Sequence, residues 1–451
     1  MKAVWRLLLI LAGLGATGAP AGELGDLYRQ ALLQDPGVLS SQAETAALRE
    51  EIRQARGAWL PQVNLAGSRY RNDAQVTTTG VAGTTTQPQE YRSFAHRLVA
   101  RQALYRPAVG AQMAQAEARA EGGEYQVRLD AIDLVNRLVE AYFDVLQLGE
   151  EVFVEEKRQR LARERLEQAQ VALRQGEGSK LDIAQARADF HAVQTRTLDV
   201  RLQLANAREN LVALVGTDVP APRPLFLRLD TPIPGFGVEL EEWLQSALVQ
   251  HPKILIQQQG FEVAEKEVDK ARSGHLPTLD AVASRTHSGN ETLSTLNTRY
   301  ATNAIGLEYN IPIFAGGSTD AAVQAARHRL EKSRLQLEKS RREVGQMLRK
   351  AFYGYRSALG QYGAAQSAAI AARENLQAGR MGLQHGLRSR GEVAQVELRY
   401  LDAELELAKA FLTAFRQRVA LYAAHGSLDA EVLDALDGEL RAHLSGPLLK
   451  P

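Results

Sequence analysis

The sequence predicts a mixed α and β chain that is mainly helical, built from long antiparallel helical hairpins and four β-strands. Three observations lead to this fold class. The two halves of the chain repeat one order of elements. Each half contains a proline-free helical stretch of about 65 residues, and each contains segments that alternate apolar and polar residues with a period of two.

The bulk composition excludes several classes of protein. With 45% apolar and 24% charged residues in 451, the chain is neither disordered nor an all-apolar membrane protein. A formal net charge of +1 gives no indication of a nucleic-acid partner or an acidic substrate. The chain has no cysteine, so it has neither disulfides nor a thiol for a lipid anchor.

The first residues predict a signal peptide over 1–21. A basic start is followed by a short apolar run at 7–14 and a small-x-small cleavage site at Ala19-Pro20-Ala21. The apolar run is too short for a membrane anchor, since a spanning helix needs about 20 residues. We therefore expect an exported chain without a transmembrane helix.

An internal duplication organises the rest of the chain. Residues 31–68 align with 247–284 without a gap and share 12 identities in 38 positions, including Leu60-Pro61 with Leu276-Pro277. We predict a first repeat at 22–216, a proline-rich connector at 217–238, a second repeat at 239–426 and a C-terminal tail at 427–451. The connector has no helical period and is expected to cross the surface.

Each repeat is predicted to begin with a helix and two strands. The first helix runs over 36–58 and stops at Leu60-Pro61, because proline disfavours helix before it. Residues 302–313 give the best strand, with an apolar face that contains Ile305 and a polar face that contains Glu308. We expect strands of about ten residues, joined in the first repeat by an exposed polar loop at 74–90. Strands of this kind fit a soluble sandwich or a membrane barrel.

Each repeat continues with a long helix and a shorter return helix. The long helices are predicted at 108–174 and 320–383, and the second carries an apolar row at seven-residue spacing, as in coiled coils. On these heptads alone, a rod or tether without a channel is the more common outcome. The return helices are predicted at 180–216 and 391–426. Two similar turns precede them: GEGSKLDIAQ at 176–185 and GLRSRGEVAQ at 386–395.

Four amphipathic strands cannot close a barrel alone, since about eight is the smallest usual number. An open sheet in a bilayer would leave unsatisfied edge groups, so several chains would have to share one barrel. In this arrangement the sequence resembles the TolC family of outer-membrane channel-tunnel proteins over nearly all of the mature chain. The residues that carry the resemblance are the two Leu-Pro pairs, the segment IPIFAGG at 311–317, the segment RQALYR at 101–106, the two glycine turns and Leu214-Val215-Gly216. The form of 101–106 is similar to that of members that serve type I secretion.

The resemblance implies a homotrimer in the outer membrane. Three chains would form an α-barrel in the periplasm and contribute four strands each to a 12-stranded transmembrane β-barrel in contact with outer-membrane lipid. The expected partners are a periplasmic membrane-fusion adaptor and an inner-membrane transporter, either an ATP-binding-cassette or a proton-driven one. No enzymatic activity, cofactor, catalytic residue or metal site is expected, because the sequence shows no metal-spaced His/Cys set, phosphate loop or nucleophile elbow.

The resemblance also assigns roles to the two glycine turns. Gly176, Ser179, Gly386 and Ser389 would form hairpin tips that dock the adaptor. Asp182, Glu392, Arg388 and Gln395 would line or close the periplasmic aperture. Crowded carboxylates would attract cations, and their pKa values would rise; Gln395 stands where the family can carry a second acidic residue, so the ring would be less acidic.

Simpler roles remain open for these residues. Ser-x-x-Asp and Ser-x-x-Glu are capping boxes, in which the serine and the carboxylate satisfy helix-terminal amides. Arg388 also fits an ordinary surface arginine near a helix end. In the strands, Arg97, Arg101, Glu308 and Asn310 are candidates for the barrel lumen, and polar positions on a soluble sheet are the alternative.

The leading functional hypothesis is a passive outer-membrane exit duct of a tripartite export system, serving type I protein secretion. The second hypothesis keeps the fold and assigns the duct to multidrug efflux. A third, from a different class, is a periplasmic coiled-coil adaptor or scaffold. The alternating strands discriminate against the third, because an adaptor needs no apolar face of membrane height.

Overall fold

The computed structural model describes residues 23–81, 83–219, 225, 227, 233, 237, 239–290 and 298–443. The predicted signal peptide lies outside the described residues, as does most of the connector. The elements follow in the order α1 (Glu23–Leu32), α2 (Pro36–Gly57), β1 (Gln62–Gly80), β2 (Gly83–Tyr105), α3 (Pro107–Arg174), α4 (Lys180–Val215), α5 (Leu240–Gln250), α6 (Pro252–Arg272), β3 (Thr278–Asn290), β4 (Thr298–Asn310), α7 (Ser318–Gln384), α8 (Arg390–His425) and α9 (Ala430–Ala442).

The helix boundaries follow local chemistry. Pro107 opens α3, in agreement with the preference for proline at the first helical position, where its missing amide costs nothing. Gly216 and Gly426 end α4 and α8 in the left-handed conformation, with φ of 71° and 86°. None of the described helices is long and apolar enough to cross a membrane.

The four strands form one antiparallel sheet in the order β1-β2-β3-β4. The first hairpin is longer than predicted: β1 and β2 stay paired to Gly80 and Gly83, so most of the predicted polar loop at 74–90 is strand. Threonine explains the difference, because β-branched residues favour strands and pair across them. The hydroxyl oxygens of Thr77 and Thr86 lie 3.0 Å apart.

The chain divides into two compact units, each of which draws on both halves of the sequence. One unit contains residues 1–40, 128–252 and 342–451, and the other contains 41–127 and 253–341. The second unit holds the sheet and the helical segments that lead into and out of it. The two helical turns lie in the first unit.

The core of the first unit is built on aromatic side chains from α3 and α8. Tyr142 and Phe143 are at most 1% exposed, and so are Phe411 and Phe415, whose ring centroids lie 5.0 Å apart. Apolar residues of the connector join this core: Val219, Leu225 and Ile233 are all buried. The part of the connector that the structure describes is therefore held by burial of its apolar side chains.

The described part of the C-terminal tail forms the helix α9. Asp429 caps its start by accepting a hydrogen bond from the Val432 amide at 2.9 Å. Leu433, Leu436 and Leu440 are buried in the same core as α1. Arg29 of α1 also pairs with Asp434 of α9 at 2.6 Å.

Candidate functional site

The first helical turn ends α3 with a Schellman motif. Gly176 has a φ of 80°, which favours glycine because a Cβ would clash in that conformation. The Glu177 amide donates to the Ala172 carbonyl at 2.9 Å, and the Gly176 amide donates to the Leu173 carbonyl at 3.2 Å. These two hydrogen bonds satisfy carbonyls that the helix end would otherwise leave free.

The second turn repeats this geometry between α7 and α8. Gly386 has a φ of 71°. The Leu387 amide donates to the Gly382 carbonyl at 2.8 Å, and the Gly386 amide donates to Leu383 at 3.1 Å. The recurrence of the two sequences is thus a recurrence of one backbone turn.

Both return helices begin with a capping box. The Asp182 amide donates to Ser179 Oγ at 3.1 Å, and the Ser179 amide donates to Asp182 Oδ2 at 2.9 Å. In α8 the Glu392 amide donates to Ser389 Oγ at 3.2 Å, and the Ser389 amide donates to Glu392 Oε2 at 2.7 Å. The cap predicted as the simpler role for these residues is therefore present in both copies.

The caps hold both carboxylates in the ionised form within one chain. Hydrogen bonds from the Ser179 hydroxyl and amide lower the pKa of Asp182. The amide and hydroxyl of Ser389 lower the pKa of Glu392, with a smaller contribution from the nearby Arg388 guanidinium. Each tip therefore presents a negative charge next to a helix N-terminus. The rise in pKa expected from crowding concerns assembled chains and stays a prediction.

The remaining predicted residues of the second turn lie close to this cap. Arg388 is exposed, and its aliphatic part lies over Gly382, where an added Cβ would come within 3.2 Å of its Cγ. Gln395 is exposed one helical turn beyond Glu392. Sequence reasoning missed two apolar side chains at the tips, Leu181 and Leu387, which are 65% and 81% exposed. For Leu387, its place directly beside the turn residue Gly386 was the available signal.

The sheet in the other unit has two chemically different faces. Antiparallel pairing places the residues opposite one another on the same side of the sheet. We define face A as the side that carries the even-numbered residues of β1, β3 and β4 and the odd-numbered residues of β2 up to Ala103. Face B is the opposite side of the sheet. A β-bulge between Ala103 and Tyr105 shifts the register at the end of β2, so that Tyr105 lies on face B opposite Leu279.

All four lumen candidates lie on face A. Arg97 and Arg101 are on β2, and Glu308 and Asn310 are on β4. Arg101 donates to Glu308 Oε2 at 2.5 Å, so two of the candidates form an ion pair across the sheet. Sequence reasoning missed Asp280 on the strand between them, which is 4% exposed and accepts from Arg101 at 2.8 Å and from Arg106 at 2.9 Å.

Face B carries most of the exposed apolar residues of the sheet. Their exposed fractions run from 43% to 91%. They are Val63, Leu65, Leu98, Ile305, Leu307 and Tyr309. Along β3 the face B residues from Ala283 to His287 are exposed, whereas their neighbours on face A are half-buried. Face B therefore has an apolar area that nothing in the described chain covers.

Comparison with known proteins agrees with this architecture. Alkaline protease secretion protein AprF of Pseudomonas aeruginosa is 28% identical over 310 residues, which is 68% of this chain and 64% of that protein. The outer membrane protein TolC of Escherichia coli K12 is 25% identical over 72% of this chain and 66% of its own length. The chain thus spans about two thirds of the length of these relatives.

The fold also matches solved structures. The outer membrane channel CmeC of Campylobacter jejuni superposes with a TM-score of 0.74 over 92% of this chain and 89% of that chain, at 16% identity. The outer membrane efflux protein family matches residues 27–217 and 243–427, which include both helical turns and all four strands. The chain therefore belongs to the outer membrane efflux protein family and is a TolC-family channel of the outer membrane.

Proposed function

We propose that this protein is the outer-membrane exit duct of a type I protein secretion system. Three copies form one passive channel, in which each chain contributes its four strands to a shared 12-stranded barrel. A periplasmic adaptor and an inner-membrane ATP-binding-cassette transporter deliver the cargo. The mature chain starts after a signal peptide at 1–21, and its two repeats, 22–216 and 239–426, supply equivalent hairpins around the duct.

The observation that carries the proposal is the unfinished sheet. Within the described residues no further strand pairs with β1 or β4, so both edges carry unpaired backbone groups. Face B carries an exposed apolar area near the helices, which suits lipid, and face A is mostly polar, which suits a water-filled lumen. A lipid environment tolerates such a sheet only when neighbouring chains pair with its edges.

Two observations favour protein secretion over efflux of small molecules. The name of AprF describes secretion of an alkaline protease. The segment at 101–106 resembles the form found in family members that serve type I secretion. Two arginines of this segment, Arg101 and Arg106, both donate hydrogen bonds to Asp280. The runner-up is an outer-membrane component of a multidrug efflux pump, which would use the same fold with a proton-driven transporter.

We assign the two turns to the periplasmic end of the duct. Asp182, Glu392, Arg388 and Gln395 line or close the aperture. Gly176, Ser179, Gly386 and Ser389 shape the tips that meet the adaptor. The equal geometry of the two turns supports this assignment, because three chains would then present six similar tips.

The test combines planar-bilayer conductance with the mass of the purified oligomer in the same detergent. A trimer that gives discrete channels is the expected result. A soluble protein without channels would contradict the shared barrel and leave a periplasmic coiled-coil scaffold. Co-expression with a type I transporter and adaptor then separates the two duct roles: cargo protein in the medium supports secretion, and resistance to small toxic compounds without protein export supports efflux.

A further inference from the structure

The chemistry of face B changes along the strands. The rows nearest to the helices are apolar, and the next two rows include the exposed residues Arg285 and His287 of β3. Two basic rows follow, and beyond them, toward the β1–β2 turn, Asp73 lies opposite Glu90. In the register, Arg69 lies opposite Phe94, Phe94 opposite Gly289 and Gly289 opposite Arg299. The two basic rows contain the arginines Arg69, Arg71, Arg92 and Arg299. We call these four residues the basic belt.

The distance from the lowest row of face B to the belt matches the height of a membrane. Tyr105 and Tyr309 flank Leu279 in the lowest row of face B, and aromatic residues of this kind mark a membrane interface. Tyr309 and Arg299 are on one strand, and their separation corresponds to about 34 Å along it. With a strand tilt of about 40°, the rise is about 26 Å, close to the height of about 25 Å typical of an apolar barrel band. The belt would then face the headgroups of the outer leaflet.

The belt carries positive charge that the described chain does not neutralise. Arg71 pairs with Glu90 at 2.7 Å. Arg69, Arg92 and Arg299 are exposed, and no carboxylate of the described residues forms an ion pair with them. Arg71 and Arg92 also lie directly opposite each other, an arrangement of like charges that destabilises a sheet. Glu90 offsets the charge of Arg71.

An aromatic side chain occupies the middle of the belt. The Phe94 ring lies over Gly289, where an added Cβ would come within 2.4 Å of Phe94 Cε1. The same ring meets His287 edge-on, with centroids 5.4 Å apart. A ligand at this position would meet guanidinium groups and an apolar ring side by side, which suits a phosphate attached to acyl chains better than a free ion.

We propose that the basic belt binds the phosphate groups of an outer-leaflet phosphorylated glycolipid. The proposal rests on the proposed function, because it requires face B to meet lipid. Arginine binds phosphate through two parallel hydrogen bonds, and three unneutralised guanidinium groups per chain provide the complementary charge. The acyl chains would lie on the apolar residues of the lower rows, among them Val63, Ile305 and Leu307.

The test compares the affinity of the detergent-purified oligomer for diphosphoryl lipid A with its affinity for the fully dephosphorylated lipid. Native mass spectrometry measures both affinities. We expect the wild type to bind the phosphorylated lipid at least about tenfold more tightly. The combined variant Arg69→Gln, Arg92→Gln, Arg299→Gln should lose this preference. Arg97→Gln, on face A of the same sheet, is the matched control and should keep it. Replacement of the three belt arginines by lysine should retain most of the preference, since the charge remains.

Three outcomes would overturn the proposal. Equal binding of the two lipids by the wild type would remove the role of phosphate, and an unchanged preference in the triple glutamine variant would place the site elsewhere. Displacement of the lipid by an equal concentration of inorganic phosphate would indicate a simple anion site. Conductance of the same preparations distinguishes the two proposals: channels without a lipid preference contradict the belt alone, whereas absence of channels contradicts both.

Discussion

At the scale of single residues, the two turns differ at one pair of positions that contact each other. Each turn has a glycine in this pair, but the glycine is at a different position of the pair in each turn. In the first turn an added Cβ on Gly178 would lie 3.2 Å from Ala172 Cβ and 3.0 Å from the Leu173 amide nitrogen. In the second turn the equivalent pair is Gly382 and Arg388, and here the helix position has lost its Cβ. One turn therefore accommodates alanine with glycine, and the other accommodates glycine with arginine. Because Gly382 has no side chain, the second turn has room for Arg388 at the position where the first turn has Gly178.

Gly178→Ala should destabilise the first turn by about 1–3 kcal/mol, because the new methyl group would press on backbone atoms. Adding Ala172→Gly should recover part of this loss, since it recreates the arrangement of the second turn. Hydrogen exchange at the amides around Asp182 measures the local effect. Additive effects of the two substitutions in this double-mutant cycle would show that the positions are not coupled.

Another residue-scale feature is the buried carboxyl of Glu150 in α3. It is 5% exposed, accepts from the Leu225 amide at 2.7 Å and borders a cavity of about 300 Å³. Burial raises the pKa of Glu150 to about 7. The hydrogen bond from the Leu225 amide and the charge of Lys157 oppose this rise, whereas the charge of Glu404 adds to it. Arg373 and Tyr400 also line this cavity. The carboxyl is therefore protonated in the folded chain at a pH where it is ionised in the unfolded chain.

Stability should consequently fall as the pH rises from about 4.5 to about 7, because the folded state retains a proton that the unfolded state has lost. The contribution of Glu150 is on the order of 3 kcal/mol. Glu150→Gln removes the charge and keeps an oxygen for the Leu225 amide, so it should raise the melting temperature more at pH 8 than at pH 5. Glu164→Gln, at an exposed position of the same helix, is the control. Equal shifts at the two pH values would argue against a buried titrating carboxyl.

At the scale of elements, α9 gives the C-terminal region a structural role that its sequence did not reveal. The 13-residue helix is short, and the spacing of its apolar positions becomes meaningful only beside α1. Leu24, Tyr28 and Ala31 of α1 are buried at helical spacing, and Leu433 of α9 is fully buried in the same core. The two ends of the described chain thus close one core.

Leu433→Ala should therefore cost about 2–5 kcal/mol, the usual range for a leucine removed from a tightly packed core. Arg29→Gln, which breaks the exposed ion pair between the same two helices, should cost less than about 1 kcal/mol. Thermal unfolding of both variants provides the comparison. A larger loss from Arg29→Gln than from Leu433→Ala would mean that charge, and not burial, holds α9.

The elements that the sequence predicted well are those with strong local signals. Pro61 and the glycines after the return helices mark helix ends that the structure confirms within a few residues. The length of the first hairpin was wrong, because threonine-rich polarity indicated a loop while β-propensity and pairing with the opposite strand decided the structure. The contacts of Asp280 with Arg101 and Arg106 were beyond reach, since they depend on the register between distant strands.

At the scale of the whole molecule, the duplication makes each compact unit a product of both halves of the sequence. The internal alignment could predict equivalent turns, and the structure confirms equal hydrogen-bond patterns in them. It could not predict what covers face B or the sheet edges, because the partners proposed for them, other chains and lipid, lie outside this chain. The same holds for Asp182 and Glu392: one chain shows them as caps, and only an assembly can make them a charged ring.

The capping and electrostatic roles of these carboxylates can be separated by substitution. Asp182→Asn with Glu392→Gln removes the charge but keeps an oxygen that accepts from the serine amide. Ser179→Ala with Ser389→Ala keeps the charge but removes the hydroxyl from both caps.

If three chains bring the carboxylates to one aperture, the first pair should lower the cation preference measured from reversal potentials, because clustered negative charge attracts cations. The second pair should destabilise each helix start by about 1 kcal/mol, visible as faster hydrogen exchange, with ion selectivity unchanged. Unchanged selectivity in the first pair would leave capping as the only role of the two carboxylates, since their shared charge would then lie outside the path of the ions.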